Sequence, residues 1–221
     1  MFYVGDILWI EKGDFQEDIP ANFTGCACWP HGTKYWYENG CYQSFLSQTD
    51  PTGEGEWMPA IICYDGSKSW YDKGKMQSFL SQTDPKTKEW MPAYIRSDGT
   101  RIWHDKGKRQ SFLSQTDSKT KEWMPAVIHS NGTKLWYDKG EKQSFLSQTD
   151  TKTGELMPAV IYPHGTKEWY NKGKLQSFQD PMTKEWTPAV IEANGTKIWY
   201  DKGRFIKDPE AYLKYRGGVK R

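Results

Sequence analysis

The sequence predicts an all-β protein, an elongated repeat array of three-stranded antiparallel β-meanders closed by a short C-terminal helix. Three observations lead there. Gly-Thr-Lys and its close variants recur at a nearly fixed interval. The apolar strings are of strand length and are bounded by turn residues. Finally, 15 % of the 221 residues are Phe, Trp or Tyr, while only 36 % are hydrophobic. A few large rings must therefore supply most of the burial that holds such units together.

Aligned on Gly-Thr-Lys, the copies begin at Gly32, Gly66, Gly99, Gly132, Gly165 and Gly195, with spacings of 34, 33, 33, 33 and 30 residues. A fixed period of this size is the mark of an array of stacked supersecondary units. The chain then divides into three parts. Residues 1–31 hold a short first repeat or cap, which contains "GDILWIEKGDFQEDIPANF". Residues 32–203 hold five full repeats of about 33 residues and a truncated sixth. Residues 204–221 hold a cap helix and a basic tail.

Within a unit the elements follow in order. "SNGTK", "ANGTK" and "SDGTR" place Asn-Gly or Asp-Gly between two apolar strings, a strong hairpin signal. "TKLWY" is the first strand. "YDKG" or "YNKG" is a turn whose glycine can take positive φ. "KQSFLSQ" is the second strand, "TDPKTKE" the next turn, and "EWMPAVI" the third strand. These strings are rich in aromatic and β-branched residues and too short for helices. The octapeptide "QSFLSQTD", identical at residues 43–50, 77–84, 110–117 and 143–150, falls on the middle strand and runs into the turn. Duplication alone accounts for its identity. A fifth copy has shortened to "QSFQD" without disturbing the "PAVI" that follows, as a surface loop would. After Gly203, "KDPEAYLKYRGG" offers Asp208 as N-cap, Pro209 at the first helical position and Gly217 as a stop. Such a helix would cover the last sheet edge.

Copies in one chain can be compared for exposure. Trp36, Trp70, Trp103, Trp136, Trp169 and Trp199 are kept, whereas the residue before each varies through Tyr35, Ser69, Ile102, Leu135, Glu168 and Ile198. Strand alternation then puts the tryptophans inside and the varying position, with Tyr71, Tyr137 and Tyr170, on a wetter face. The six tryptophans and these three tyrosines form the candidate binding face. The Trp of "EWMP" gives way to Leu156 in one unit, as a packing position would.

The net charge of +2 gives no field that calls for nucleic acid, and the lysines sit beside acids as on a solvated surface. No apolar run reaches a membrane span, and the start lacks the basic head and apolar core of a secretory signal. These features favour a cytoplasmic setting with reduced thiols.

The strings "NGTKLWYDKG…PAVI" and "HGTKEWYNKGKLQSF…PAVI" resemble the MORN-like repeats of large DNA viruses of protists and of some bacteria, whose units run "GTKxWYxNGKxHRxDxPAxI". The opening "GDILWIEKGDFQEDIPA" resembles the short form best. The longer units of this chain replace the "HRxD" link with "QSFLSQTDPKTKEWM". The resemblance implies an extended β-sheet used for protein–protein contact without catalysis, as a structural part of an assembly such as a virion, and with it a virion setting beside the cytoplasmic one. Partners would be another protein, capsid or assembly components included, with self-association open. "GTKxWYxxG" is also similar to choline- and glycan-binding repeats, which gives the alternative of an aromatic ligand-binding module.

Chemistry needs unlike groups that converge. The four histidines do not recur in frame, and neither a nucleophile–base spacing nor a phosphate loop is present. The sequence therefore predicts no enzyme, no catalytic residues and no cofactor. Cys26, Cys28, Cys41 and Cys63 have the count for a zinc site. However, Cys41 and Cys63 stand where other units carry Lys, Glu, Arg or loop residues, which favours scattered thiols.

Overall fold

The computed structural model describes residues 6–9, 19–47, 56–79, 90–112, 123–145, 156–180 and 184–217. The latter parts of the octapeptide copies, the "TDPKTKE" turns and Lys220 and Arg221 lie outside these residues. The chain forms two compact bodies, Met1–Lys108 and Arg109–Arg221.

The protein is all-β with one short C-terminal helix. In the first body, Asp6–Trp9, Gly25–Cys28, Lys34–Glu38, Ile61–Ile62, Lys68–Ser69, Tyr94–Ile95 and Arg101–Ile102 lie side by side in that order. Only the first pair is parallel, with Asp6 opposite Gly25 and Trp9 opposite Cys28. In the second body, Val127–Ile128, Lys134–Leu135, Val160–Ile161, Lys167–Glu168, Val190–Ile191 and Lys197–Ile198 follow in order, all antiparallel.

The unit differs in plan from a three-stranded meander. Each of these units gives two strands to the main sheet, one from "PAVI" and one from "TKLW". The other described strands form separate two-stranded ribbons, such as Tyr137–Asp138 with Glu141–Lys142 and Phe178–Gln179 with Trp186–Thr187. The string "TKLWY" is thus cut in two at its tryptophan. Trp136 donates its backbone N–H to the carbonyl of Ala159, 2.8 Å away near the end of its own unit, while its carbonyl accepts from Gln143 at 3.1 Å. One residue bonds in two directions, and the chain turns a corner there.

Burial fixes that corner. Trp70, Trp103, Trp136 and Trp169 are at most 2 % exposed, and Ala60, Ala93, Ala126, Ala159 and Ala189 of the "PA" steps are fully buried. The buried indole N–H groups are satisfied: Trp103 Nε1 donates to the Trp90 carbonyl at 2.7 Å, Trp136 Nε1 to that of Trp123 at 2.7 Å, and Trp169 Nε1 to that of Leu156 at 2.8 Å. Buried tryptophan paired through its main chain with buried alanine is therefore the repeated core element, and the residue at the "EWMP" position supplies a carbonyl to the indole. Leu156 can replace a tryptophan there because only its main chain accepts.

The two turns are chemically distinct. At "HSNGTK", Gly132 N–H donates to His129 at 2.9 Å and His129 N–H to Thr133 at 2.9 Å. Gly132 has φ +88°, whereas Asn131 is not left-handed. This is a three-residue hairpin loop with glycine at the bulge. At "DKG" both central residues are left-handed: Lys73, Lys106, Lys139, Lys172 and Lys202 have φ between 47° and 50°. That is a two-residue type I′ turn, which suits the twist of a tight hairpin but strains a lysine. Only the first unit has the favoured pair, Asn39-Gly40, at φ 49° and 74°.

At the C-terminus, helix α1 spans Pro209–Gly217. The Asp208 carboxylate accepts the Ala211 N–H at 3.0 Å, the N-cap that the sequence predicts.

Candidate functional site

The residues that repeat most faithfully bring neighbouring units together. "QSF" survives in all five copies, at residues 43–45, 77–79, 110–112, 143–145 and 176–178. Its serines Ser44, Ser78, Ser111, Ser144 and Ser177 are each 2 % exposed. Each grips one residue of the next unit twice. The Ser144 N–H donates to the Tyr170 carbonyl at 2.9 Å, and Ser144 Oγ accepts the Tyr170 N–H at 3.0 Å. The same double contact joins Ser44 to Tyr71, Ser78 to His104, Ser111 to Tyr137 and Ser177 to Tyr200.

The glutamine beside each serine completes the clasp. Gln143 Oε1 accepts the N–H of the left-handed Lys172 at 2.9 Å. Gln43, Gln77, Gln110 and Gln176 do the same for Lys73, Lys106, Lys139 and Lys202 at 2.7–2.8 Å. Where the next turn begins with aspartate, the amide also donates to it, as from Gln110 to Asp138 and from Gln176 to Asp201, both at 3.2 Å. A third joint bonds the hairpins directly, from Gly173 N–H to the Lys142 carbonyl at 3.0 Å and from Gly203 N–H to that of Leu175 at 2.9 Å.

The first unit makes its clasp from other atoms. Thr24 Oγ1 accepts the Asn39 N–H at 2.8 Å, and the Phe23 carbonyl accepts from Gly40. Around it lies an aromatic cluster of Trp29 and Tyr37 with Phe23, Tyr35 and Tyr42.

The candidate binding face separates into two sets. Trp70, Trp103, Trp136 and Trp169 are buried, while Trp36 and Trp199 are half-buried. Tyr71 and Tyr170 are half-buried and Tyr137 is buried. The varying position is drier than alternation alone predicts. Ser69 and Leu135 are buried there, and the half-buried Glu168 is held by the Tyr162 hydroxyl at 3.2 Å and the Tyr170 hydroxyl at 2.9 Å. Burial, followed by the Glu168 charge and its hydrogen bond, pushes the Tyr170 phenol well above its usual range. Cations cover the rings of this face: the Arg109 guanidinium lies 5.5 Å from the Tyr137 centroid and Lys142 Nζ 4.7 Å from that of Tyr170. The outward surface is thus a mixed stripe of tyrosine and cation on the hairpins.

Of the cysteines, only Cys26 and Cys28 come together, with sulfurs 3.4 Å apart. Cys41 is exposed and Cys63 half-buried, and among the described residues no three metal-ligating side chains converge. Burial, then the neighbouring Cys28 thiol, raises Cys26 to a pKa of about 12. At neutral pH that keeps the thiol protonated.

One cleft, of about 260 Å³, is lined by Gln176, Phe178, Trp186, Asp201, Tyr212 and Arg216, among others. Helix α1 builds one wall. Tyr212 meets Trp186 edge-on at 6.1 Å, and Arg216 bonds Asp201 at 2.8 Å. Partial burial pushes the Asp201 carboxyl up, but the Gln176 amide and the Arg216 guanidinium outweigh it, so the group titrates below its ordinary value.

The sequence places "QSF" on the middle strand of a meander, and the one sign of the clasp is the fifth copy, which lost three residues of the octapeptide and kept "QSF". The chain matches no family model, and no curated protein matches it.

Proposed function

We propose that the protein is a non-catalytic repeat scaffold that presents the hairpin face to another protein. The observation that carries this reading is the fate of the repeated polar residues. In a binding array they would point at a ligand, one site per unit. Here the serine and glutamine of every copy are engaged in joining one unit to the next. What varies from unit to unit is the outward surface, including His104, Arg109 and Lys142. A constant frame with a varied face suits a protein-binding surface. A structural component of an assembly, a viral particle included, is the form of this role that the MORN-like resemblance implies.

The test is capture from native material on the immobilised chain, beside a chain with Arg109→Ser, Lys142→Ser and Tyr170→Ser. A partner that is held by the first and released by the second supports the reading. Capture unchanged by the triple substitution argues against the hairpin face.

The aromatic ligand-binding alternative has one observation in its favour, the cleft beside Trp186 and Tyr212. It predicts a change in tryptophan fluorescence with choline or simple sugars, abolished by Trp186→Ala.

A further inference from the structure

We infer that the strand Lys197–Ile198, with Thr196 and Trp199 beside it, is a docking edge for an extended segment of a partner protein with the pattern Pro-Ala-Val-Ile. The inference rests on the scaffold reading and names the chemistry of the partner.

The inner joints show what such an edge accepts. At the preceding joint, Lys167 faces Ile191 and Glu168 faces Val190 across an antiparallel pair. Trp169 donates its N–H to the Ala189 carbonyl at 2.8 Å. Thr166 Oγ1 accepts the Ala193 N–H at 3.2 Å. The alanine that accepts this bond has no exposed surface, so a larger residue would overpack the joint.

Thirty residues on, Thr196, Lys197, Ile198 and Trp199 repeat the frame of Thr166, Lys167, Glu168 and Trp169. Only half of the joint is made. Val190–Ile191 pairs with one side of Lys197–Ile198, and among the described residues no strand lies on the other. The Trp199 N–H has no backbone acceptor among the described residues. Trp199 is half-buried where Trp169 is fully buried, and Thr196 is exposed where Thr166 is half-buried. Helix α1 makes its contacts at Trp186 and Asp201, on the hairpin side. An unpaired strand edge beside a partly uncovered indole is the arrangement that takes an added strand. The inner joints specify that strand: antiparallel, small at the residue that accepts the tryptophan N–H, with a free N–H four residues later.

The probe is the capped octapeptide Thr-Pro-Ala-Val-Ile-Glu-Ala-Asn, which copies residues 187–194. It is added to the full chain and followed by amide hydrogen exchange. The expected result is slowing of Trp199 N–H exchange by at least about tenfold. Leucine in place of the peptide's first alanine should weaken binding by at least about tenfold. Trp199→Ala in the chain should weaken it similarly. Three results would each overturn the inference. These are unchanged exchange at Lys197–Trp199 with millimolar peptide, equal binding of the leucine peptide, or protection of the same amides by raising the protein concentration alone, which assigns the edge to a second copy. The scaffold reading is tested on the hairpin face, so it stands or falls separately.

Discussion

The joint at Trp169 and the half-joint at Trp199 are built on the same residue frame, yet they hold their indoles differently. Trp169 is fully buried, its indole N–H bonded to the Leu156 carbonyl and its backbone N–H to that of Ala189. Trp199 has the same lysine two residues before it and the same following Tyr, but no strand pairs on its far side among the described residues. The contrast teaches that the tryptophan is held from two units: the alanine of its own unit accepts its backbone N–H, and the preceding unit supplies the carbonyl for its indole.

That contrast can be broken most forcefully at the ring and the alanine. Trp169→Ala should cost about 3–5 kcal/mol, while Trp199→Ala should cost roughly 1 kcal/mol because much of its area is already wet. Urea midpoints at constant slope would measure both. Equal losses would mean that the two rings are equally supported. Ala189→Leu should cost about 1–3 kcal/mol by overpacking a fully buried position.

A smaller effect separates clasped from unclasped hairpins. Ser144→Ala removes the acceptor for the Tyr170 N–H and should cost about 1–3 kcal/mol. At the end of the array Ile206 bonds Trp199 as Gln176 bonds Trp169. Lys207 therefore stands where the next serine would be, and Lys207→Ala should leave the midpoint unchanged. Smaller again, and opposite in sign, is Lys139→Gly. It relieves a left-handed lysine and should raise stability by about 0.5–1 kcal/mol. A loss there would show that the Gln110 contact already offsets the strain.

The smallest expected effects depend on pH. Asp201 titrates below its usual range, so its contribution is present above the ordinary carboxylate value of about 3.9 and is lost as pH falls through the depressed one. Docking of α1, followed by the Trp186 signal, should weaken in that acid window, and Asp201→Asn should remove the dependence. At the other extreme, burial raises Cys26 and the phenols of Tyr71 and Tyr162. Groups raised in this way stabilise fully below their unfolded values. Stability should therefore decline from about pH 9 upward as those groups ionise more readily in the unfolded chain. An alkaline melt that stays flat to pH 11 would contradict these burials.

The all-β class, the period, the α1 cap at Asp208 and the inward tryptophans were all readable from turn chemistry and from comparing copies. The strand plan was not. A two-residue strand has no periodicity to read, and the corner at Trp136 depends on a bond to Ala159, 23 residues away in sequence. The clasp was hidden for a different reason. Gln143 and Ser144 look like solvated strand residues, and only the neighbouring main chain gives them partners. The parallel pairing of Asp6–Trp9 with Gly25–Cys28 was equally unreadable, since direction leaves no mark on strings this short.

The serine clasp holds main-chain atoms alone. His104 stands where other copies have tyrosine, and Ser78 still holds it by N–H and carbonyl. A fastening indifferent to the side chain it fastens lets the visible chemistry of each module drift without loosening the stack. Modules become interchangeable parts, and new specificity can arise by substitution at one position while its neighbours remain as they were.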